Sequence, residues 1–238
     1  MWVRVMSFSF WIVLSIGMIV LSSHRNSARS IQGFSVHIDE NYPQMISKDS
    51  VNNMLKLVFK DSTSKQKSEI HLKRLELQLS QNDLIKKTEA FLTLDDVLHI
   101  KVLPRIPVAR VKGKSEFYLD YDGKPIPLSP THDSEVPTIV NDPDVDRYEA
   151  LSALSVAIAQ DGFLASHIGD IQDHGDEVSM HVIDQKYQIK IKSVDDIQTK
   201  FKNYKAFYAV ATDQGVIGDY TEVALDYNNQ IICKRNTL

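Results

Sequence analysis

Two stretches of this 238-residue chain carry side chains able to hold a metal or move a proton. The first is "HIGDIQDHGDE", where His167, Asp170, Asp173, His174, Asp176 and Glu177 form the densest grouping of imidazoles and carboxylates. Imidazole with carboxylate oxygen is a competent ligand set for a divalent ion, and a metal-bound water would equip a hydrolase. The spacing matches neither H-E-x-x-H nor another zinc pattern, however, and with two glycines the stretch reads as a polar loop ahead of a strand from Glu177. The second is "RIPVARVKGKSEFYLDYDGKPIPLS", residues Arg105 to Ser129, with its acids crowded into Glu116–Gly123. A calcium loop of the EF-hand type needs oxygen ligands at positions 1, 3 and 5, Gly at 6 and Glu at 12. Counting from Asp120 places Lys124, Pro125 and Thr131 where the last three should stand. The spacing instead predicts a two-residue Asp122-Gly123 hairpin of type I′, which needs φ > 0 at both central residues.

No other residues supply a nucleophile or a phosphate cradle. The chain holds no G-x-S-x-G, no G-x-G-x-x-G and no Walker A loop, and its single cysteine, Cys233, falls in a terminal strand. One cysteine also rules out an internal disulfide framework. His71, His99 and His181 sit inside predicted elements and read as packing or surface residues. The sequence therefore points away from an enzyme, a cofactor or a small-molecule substrate.

Of the charged residues, the first 29 positions contain three arginines and no acid, so the remainder carries 24 basic against 31 acidic residues, a net of −7. An acidic body without a basic stripe excludes nucleic acid as a partner. "VMSFSFWIVLSIGMIVL", Val5 to Leu21, is uncharged. With Arg4 able to snorkel, the apolar helix reaches about 21 residues, enough for a hydrocarbon core of ~30 Å. No A-x-A-like cleavage site follows Ser22 and Ser23, so the run reads as an uncleaved single-pass anchor, with Trp2 at the interface. The long body carries no further span, which favours a cytoplasmic N-terminus and an exported body.

The elements that would position these side chains fall into two groups. Ile31–Ile38 alternates and reads as a strand; Ser47 caps a helix with Val51, Leu55 and Val58 on one stripe; Lys60–Ser68 is a polar loop. Leu72, Leu75 and Leu79 mark a second helix closed by Asn82, and two strands, 84–93 and 96–104, turn at Leu94-Asp95-Asp96. The order is β-α-α-β-β. Beyond Pro104 the strands become short: Ile106–Val111, Glu116–Tyr121, Pro125–Leu128, Thr138–Val140, Glu177–Val182 and Tyr187–Lys192. Two helices interrupt them. One spans Asp144–Gln160 with Leu151, Leu154 and Ile158 inward and Gly162 beyond its end; the other, Asp195–Thr212, is capped by Ser193 and buries Ile197, Phe201, Tyr204 and Tyr208. In "YTEVALDYNNQIICKR" Val223, Leu225 and Tyr227 alternate, Asn228-Asn229 turns and Ile231-Ile232 resume. The fold class is α+β: anchor over 1–24, a β-α-α-β-β domain over 25–104, and a mixed β-rich domain with two helices over 105–238.

This sequence resembles the bacterial FtsQ/DivIB cell-division family. An anchor and a β-α-α-β-β unit of POTRA type precede "RIPVARV…FYLDYDGKPIPLS", similar to the family's R-x-P-x-A run and aromatic-Asp-x-x-Gly hairpin, and "YTEVALDYNNQIICK" is similar to its closing strand pair. The very short N-terminal tail resembles Bacteroidetes-type members. Ala224 and Asp226 depart from the family pattern, which tends to have Asp and Arg there, so the charge of a partner face would differ. The resemblance implies a non-enzymatic divisome scaffold in the inner membrane at the septum, with a periplasmic body. It implies FtsB/FtsL-like partners, and recruitment or regulation of an FtsW/FtsI-type septal peptidoglycan synthase. It also implies docking by strand addition at the terminal edge, with Val223, Leu225, Tyr227, Gln230, Ile231, Ile232 and Lys234 as partner-binding residues. A POTRA-containing secretion or outer-membrane assembly factor, and a metal-dependent periplasmic hydrolase built on 167–177, are the alternative readings. Because only the first segment is apolar enough for an anchor, a chain lacking residues 1–30 is expected to be soluble and folded. Gel filtration and circular dichroism check this, and an insoluble product despite good expression would count against a single anchor.

Overall fold

The computed structural model describes residues 2–27, 29–39, 45–59, 70–129, 133–227 and 230–236, with side chains except those of 2–9, 26 and 27. The chain divides into two compact units, Met1–Pro104 and Arg105–Leu238.

The first unit opens with α1 (Trp2–Ser27). Among the described residues no helix is long and apolar enough to cross a membrane. The structure thus gives the transmembrane helix expected over 1–24 no support, although the side chains that open the Val5–Leu21 run lie outside the described set. From Phe10 to Leu21 the described large apolar side chains are exposed. Next come β1 (Gly33–Ile38), α2 (Lys48–Phe59), α3 (Leu72–Leu79), β2 (Ile85–Leu92) and β3 (Val97–Pro104), the expected β-α-α-β-β order. Ser47 starts α2 as a cap should, its Oγ accepting from Ser50 N at 3.1 Å. Val51, Leu55 and Phe59 of α2 and Leu75 and Leu79 of α3 are buried against Ile38, Leu98, Ile100 and Val102 of the sheet. Strand order is β1-β3-β2, β1 parallel to β3 and β2 antiparallel to it. The β2–β3 turn puts Asp96 at φ +64°, a left-handed site that Asp tolerates better than most residues. The polar loop expected over Lys60–Ser68 lies outside the described residues.

The second unit runs β4 (Pro107–Lys112), β5 (Glu116–Asp120), β6 (Pro125–Pro127), β7 (Thr138–Ile139), a 3-10 turn (Val145–Arg147), α4 (Tyr148–Ala159), α5 (Gly162–His167), β8 (Ile168–Asp173), β9 (Val178–Val182), β10 (Gln188–Ile191), α6 (Ile197–Asp213), a 3-10 turn (Ile217–Asp219), β11 (Tyr220–Tyr227) and β12 (Gln230–Arg235). All the strands join one sheet, in the order β12-β11-β10-β9-β8-β7-β4-β5-β6. The β4–β7, β7–β8 and β10–β11 pairs are parallel. A parallel pair cannot be closed by a tight turn, and the helices serve as the crossovers: α4 and α5 between β7 and β8, α6 between β10 and β11. Leu151, Leu154 and Ile158 of α4, Leu164 of α5, and Phe201 and Tyr204 of α6 bury into one core with Val111, Leu119, Ile171, Met180, Ile189 and Val223.

Three elements differ from expectation. Asp161 caps a separate helix, α5, its carboxylate accepting from Phe163 N and Leu164 N at 3.1 and 3.2 Å, so Gly162 opens a helix instead of closing one. The polar loop expected over 167–177 is largely strand β8. A register shift between Ile168 and Ile171 breaks the alternation that would have revealed it. Helix α6 also begins later, at Ile197, behind Asp196 at φ +52°, while Ser193 Oγ accepts from Asp195 N rather than capping the helix.

Two buried polar clusters hold the second unit. Arg105 forms an ion pair with Asp120 Oδ2; their side chains are 12% and 3% exposed. The other oxygen, Oδ1, accepts from Asp122 N at 2.9 Å and Lys124 N at 2.8 Å. The hairpin is therefore a three-residue loop, Tyr121-Asp122-Gly123, and not the expected two-residue type I′ turn. Gly123 N donates to Asp120 O at 3.0 Å, and Gly123 supplies the positive φ, +70°. A Cβ on Gly123 would meet Glu149 N at 2.6 Å, so the loop seats directly on the first turn of α4. In the other cluster His167 Nε2 lies 2.7 Å from Tyr204 OH, which lies 2.7 Å from Tyr187 OH. Phe163 stacks on the His167 ring at 4.5 Å and Tyr208 meets it edge-on at 4.6 Å. Burial lowers the His167 pKa below its ordinary value and pushes the Tyr187 hydroxyl up to about 12.

Asp120→Ala is expected to destabilise the chain by about 3–5 kcal/mol, because it leaves the Arg105 guanidinium buried without its counter-charge. A urea midpoint within error of wild type would refute that role. His167 predicts a pH dependence of known sign. Its folded pKa lies below the unfolded one, so its stability contribution is intact above about pH 6.5 and falls as pH drops below that, where only the unfolded chain takes the proton. Urea unfolding on both sides of this value should show a slope that His167→Gln removes; equal slopes in both proteins would contradict the assignment.

Candidate functional site: the open edge of the large sheet

Most of the residues that first suggested chemistry are engaged elsewhere, while Asp170 and Asp176 are exposed. Asp120 holds Arg105 and its own loop, and Glu116 pairs with Arg110 at 2.9 Å. In the 167–177 stretch His167 is buried against Tyr204, and Asp173 takes the Arg147 guanidinium at 2.9 Å. His174 Nε2 lies 2.9 Å from Ser179 Oγ, and Glu177 pairs with Lys190 at 2.9 Å. The six side chains come from the end of α5 (His167), from β8 (Asp170, Asp173) and from the connection to β9 (His174, Asp176, Glu177), and among the described residues no three of His, Cys, Asp and Glu converge on a metal-sized space. Burial pushes the Cys233 thiol up, the reverse of what a nucleophile needs.

What remains is main chain. An edge strand carries a row of N–H and C=O groups with no neighbour, and folds blunt such edges with short strands, proline or charge. The two edges of the nine-stranded sheet are treated differently. At one, β6 is three residues long with proline at both ends, Pro125 and Pro127, so little of it can accept another strand. At the other, β12 is six residues without proline, and among the described residues no strand lies beyond it.

The alternation of β11 and β12 sorts the seven expected contact residues. Val223 and Leu225 are 0% and 3% exposed, so their side chains belong to the core and are withdrawn from the contact surface. Ile231 and Cys233 pack half-buried against the same core. Gln230, Ile232 and Lys234 turn to the opposite face and are exposed, Ile232 by 47%; Tyr227, closing β11, is 50% exposed. Antiparallel pairing sets Val223 opposite Cys233, Ala224 opposite Ile232, Glu222 opposite Lys234 and Tyr227 opposite Gln230, with an irregularity between Ala224 and Tyr227. The Asn228-Asn229 turn lies outside the described residues. Phe207 of α6 packs on Tyr220 at 5.5 Å, and the Arg235 guanidinium lies 5.7 Å from the centroid of the same Tyr220 ring, which ties the edge strand to the helix layer.

Two further features were not foreseen. Asp226 accepts from Lys192 N at 2.7 Å and lies 3.4 Å from Lys200 Nζ, so its charge is engaged in fixing the β10–α6 connection. On the face away from the helices a ladder of alternating charge crosses the sheet: Glu177 to Lys190 at 2.9 Å, Lys190 to Glu222 at 3.5 Å, Glu222 to Lys234 at 3.7 Å. The hydrogen bond that the Lys190 ammonium donates to Glu177 raises the Lys190 pKa. Lys190 and Glu222 sit at polar positions of alternating strands, which was the available signal; their juxtaposition needs the register.

Comparison with known proteins matches residues 32–103 to the model of a POTRA-like domain and residues 106–234 to the model described as FtsQ/DivIB, C-terminal related. Among curated proteins there is no match. The second family model covers more than half of the chain and ends within β12. This open-edged sheet, following a POTRA-like unit, makes the chain a member of the FtsQ/DivIB-related family of cell-division scaffolds.

Proposed function

We propose that this protein is a non-enzymatic scaffold of the division machinery that captures a partner segment as an additional strand on β12. The observation that carries the reading is the contrast between the two sheet edges: β6 is short and proline-blocked, whereas β12 is long, proline-free and bears an exposed isoleucine. An edge left in this state favours aggregation unless something covers it. Strand addition would complete the main-chain hydrogen bonds, and side chains on either face would supply selectivity. Tyr227 provides an aromatic with a polar tip at the mouth of the edge, a common anchor type in interfaces.

The partners we propose are FtsB/FtsL-like proteins, with an FtsW/FtsI-type septal synthase recruited or regulated through the assembly. The body would lie in the periplasm at the division septum, held by a single pass of the inner membrane with the N-terminus cytoplasmic. The uncharged Val5–Leu21 run supports that topology. The contact surface comprises Tyr227, Gln230, Ile231, Ile232 and Lys234.

Tyr227→Ala and Ile232→Glu alter exposed side chains, so each should leave the unfolding midpoint within about 0.5 kcal/mol of wild type. Each should weaken co-purification of an FtsB/FtsL-like partner by about tenfold or more and abolish mid-cell localisation of a fluorescent fusion. Ile232 is preferred to Ile231 for this test because Ile231 also packs on the core. Undiminished partner binding by both variants would move the interface away from β12.

A further inference from the structure

The charge ladder ends at the open edge on a cation. Lys190 stands between two carboxylates, Glu177 at 2.9 Å and Glu222 at 3.5 Å. Lys234 has Glu222 at 3.7 Å on its inner side, and its outer side is the sheet edge. Next to it on the same face, Ile232 faces the small Ala224 across the β11–β12 pair and is 47% exposed. Cross-strand neighbours on one face decide which strand a sheet accepts: opposite charges attract, like charges repel, and a large apolar side chain seeks another.

We infer that the segment captured on β12 is acidic and amphipathic, with a carboxylate facing Lys234 and, two residues away on the same face, an aliphatic or aromatic side chain facing Ile232. This rests on the strand-addition reading proposed above and adds the chemistry of the occupant. The two-residue spacing follows from strand periodicity and holds for either strand direction, with only the order of the two residues reversed. The added acid would extend the ladder to Glu-Lys-Glu-Lys-acid. A second copy of this chain does not meet the requirement, because its β12 shows Gln230, Ile232 and Lys234 on that face and no acid. The opposite face of the incoming strand continues the row of Ile231 and Cys233, which pack on the helix-side core, and takes apolar residues as well.

A display library of random twelve-residue segments, panned against the full chain in detergent, tests the inference. Wild type should enrich segments carrying Asp or Glu two residues from an apolar side chain. Lys234→Glu should bind those segments about tenfold more weakly and enrich Lys or Arg at the same place. Binding of wild-type-selected segments should fall as salt is raised, since the pair is exposed. Segments whose binding is abolished by Ile232→Glu, yet which show no acidic preference and no inversion with Lys234→Glu, would overturn the inference while leaving strand addition intact. Selected segments indifferent to Ile232→Glu would overturn both. Enrichment of the chain's own 230–236 sequence, with concentration-dependent dimers in solution, would assign the edge to a second copy and overturn the acidic partner.

Discussion

Backbone N–H and C=O groups withdrawn from water must be paired, and the second unit is organised around where that pairing is completed and where it stops. Two of its three parallel strand pairs, β7–β8 and β10–β11, are joined by helical crossovers, so α4, α5 and α6 lie in those connections and contribute to the core. Its main-chain ladder then runs out at β6 and β12. The first of these is cut short by proline. The second is left at full length, and its inner flank is secured by Phe207, Tyr220 and Arg235. In the strand-addition reading proposed above, binding rests on a row of main-chain donors and acceptors and needs no catalytic group.

The Arg105–Asp120 pair ties together the block of sequence from "RIP" to "YLDYDG". The arginine of "RIP" and the aspartate of "YLDYDG" are 15 positions apart in sequence and in contact in the fold. One carboxylate neutralises the guanidinium and also accepts from two amides of its own loop, which in turn seats Gly123 on α4. Removing the carboxylate would leave the Arg105 guanidinium without its counter-charge and the Asp122 and Lys124 amides without their acceptor, so the residues form a unit. Asp120, Glu116, Asp173 and Glu177, which look like metal ligands by type, are structural because each already has a cationic partner.

Elements whose side chains follow a single period were legible. Val51, Leu55, Leu75 and Leu79 in the first unit, and Leu151, Leu154, Ile158, Phe201 and Tyr204 in the second, are buried as their helical spacing predicts. The short strands β4 to β7, β9 and β10 lie close to their expected bounds. β8 was missed because its register shift displaces Ile171 out of step with Ile168, and because its inward Asp173 reads as polar until Arg147 is seen beside it. α5 was missed because a glycine after a helix usually marks an end, whereas here Asp161 caps a new start. The alternation of Val223 and Leu225 places them in the core, where they are 0% and 3% exposed, although the likeness to the family implies a contact role for them as well.

The sequence by itself determined the β-α-α-β-β order, the hairpin and the terminal strand pair, since these depend on local periodicity and on turn residues close in the chain. Tertiary structure alone decided which strands become edges, which face each polar residue occupies, and that Glu177, Lys190, Glu222 and Lys234 form one ladder. Strand order joins residues more than fifty positions apart, and a shift of one residue in register would send every side chain of a strand to the other face. The open edge at β12 is a property of that order, which no local stretch of the chain encodes.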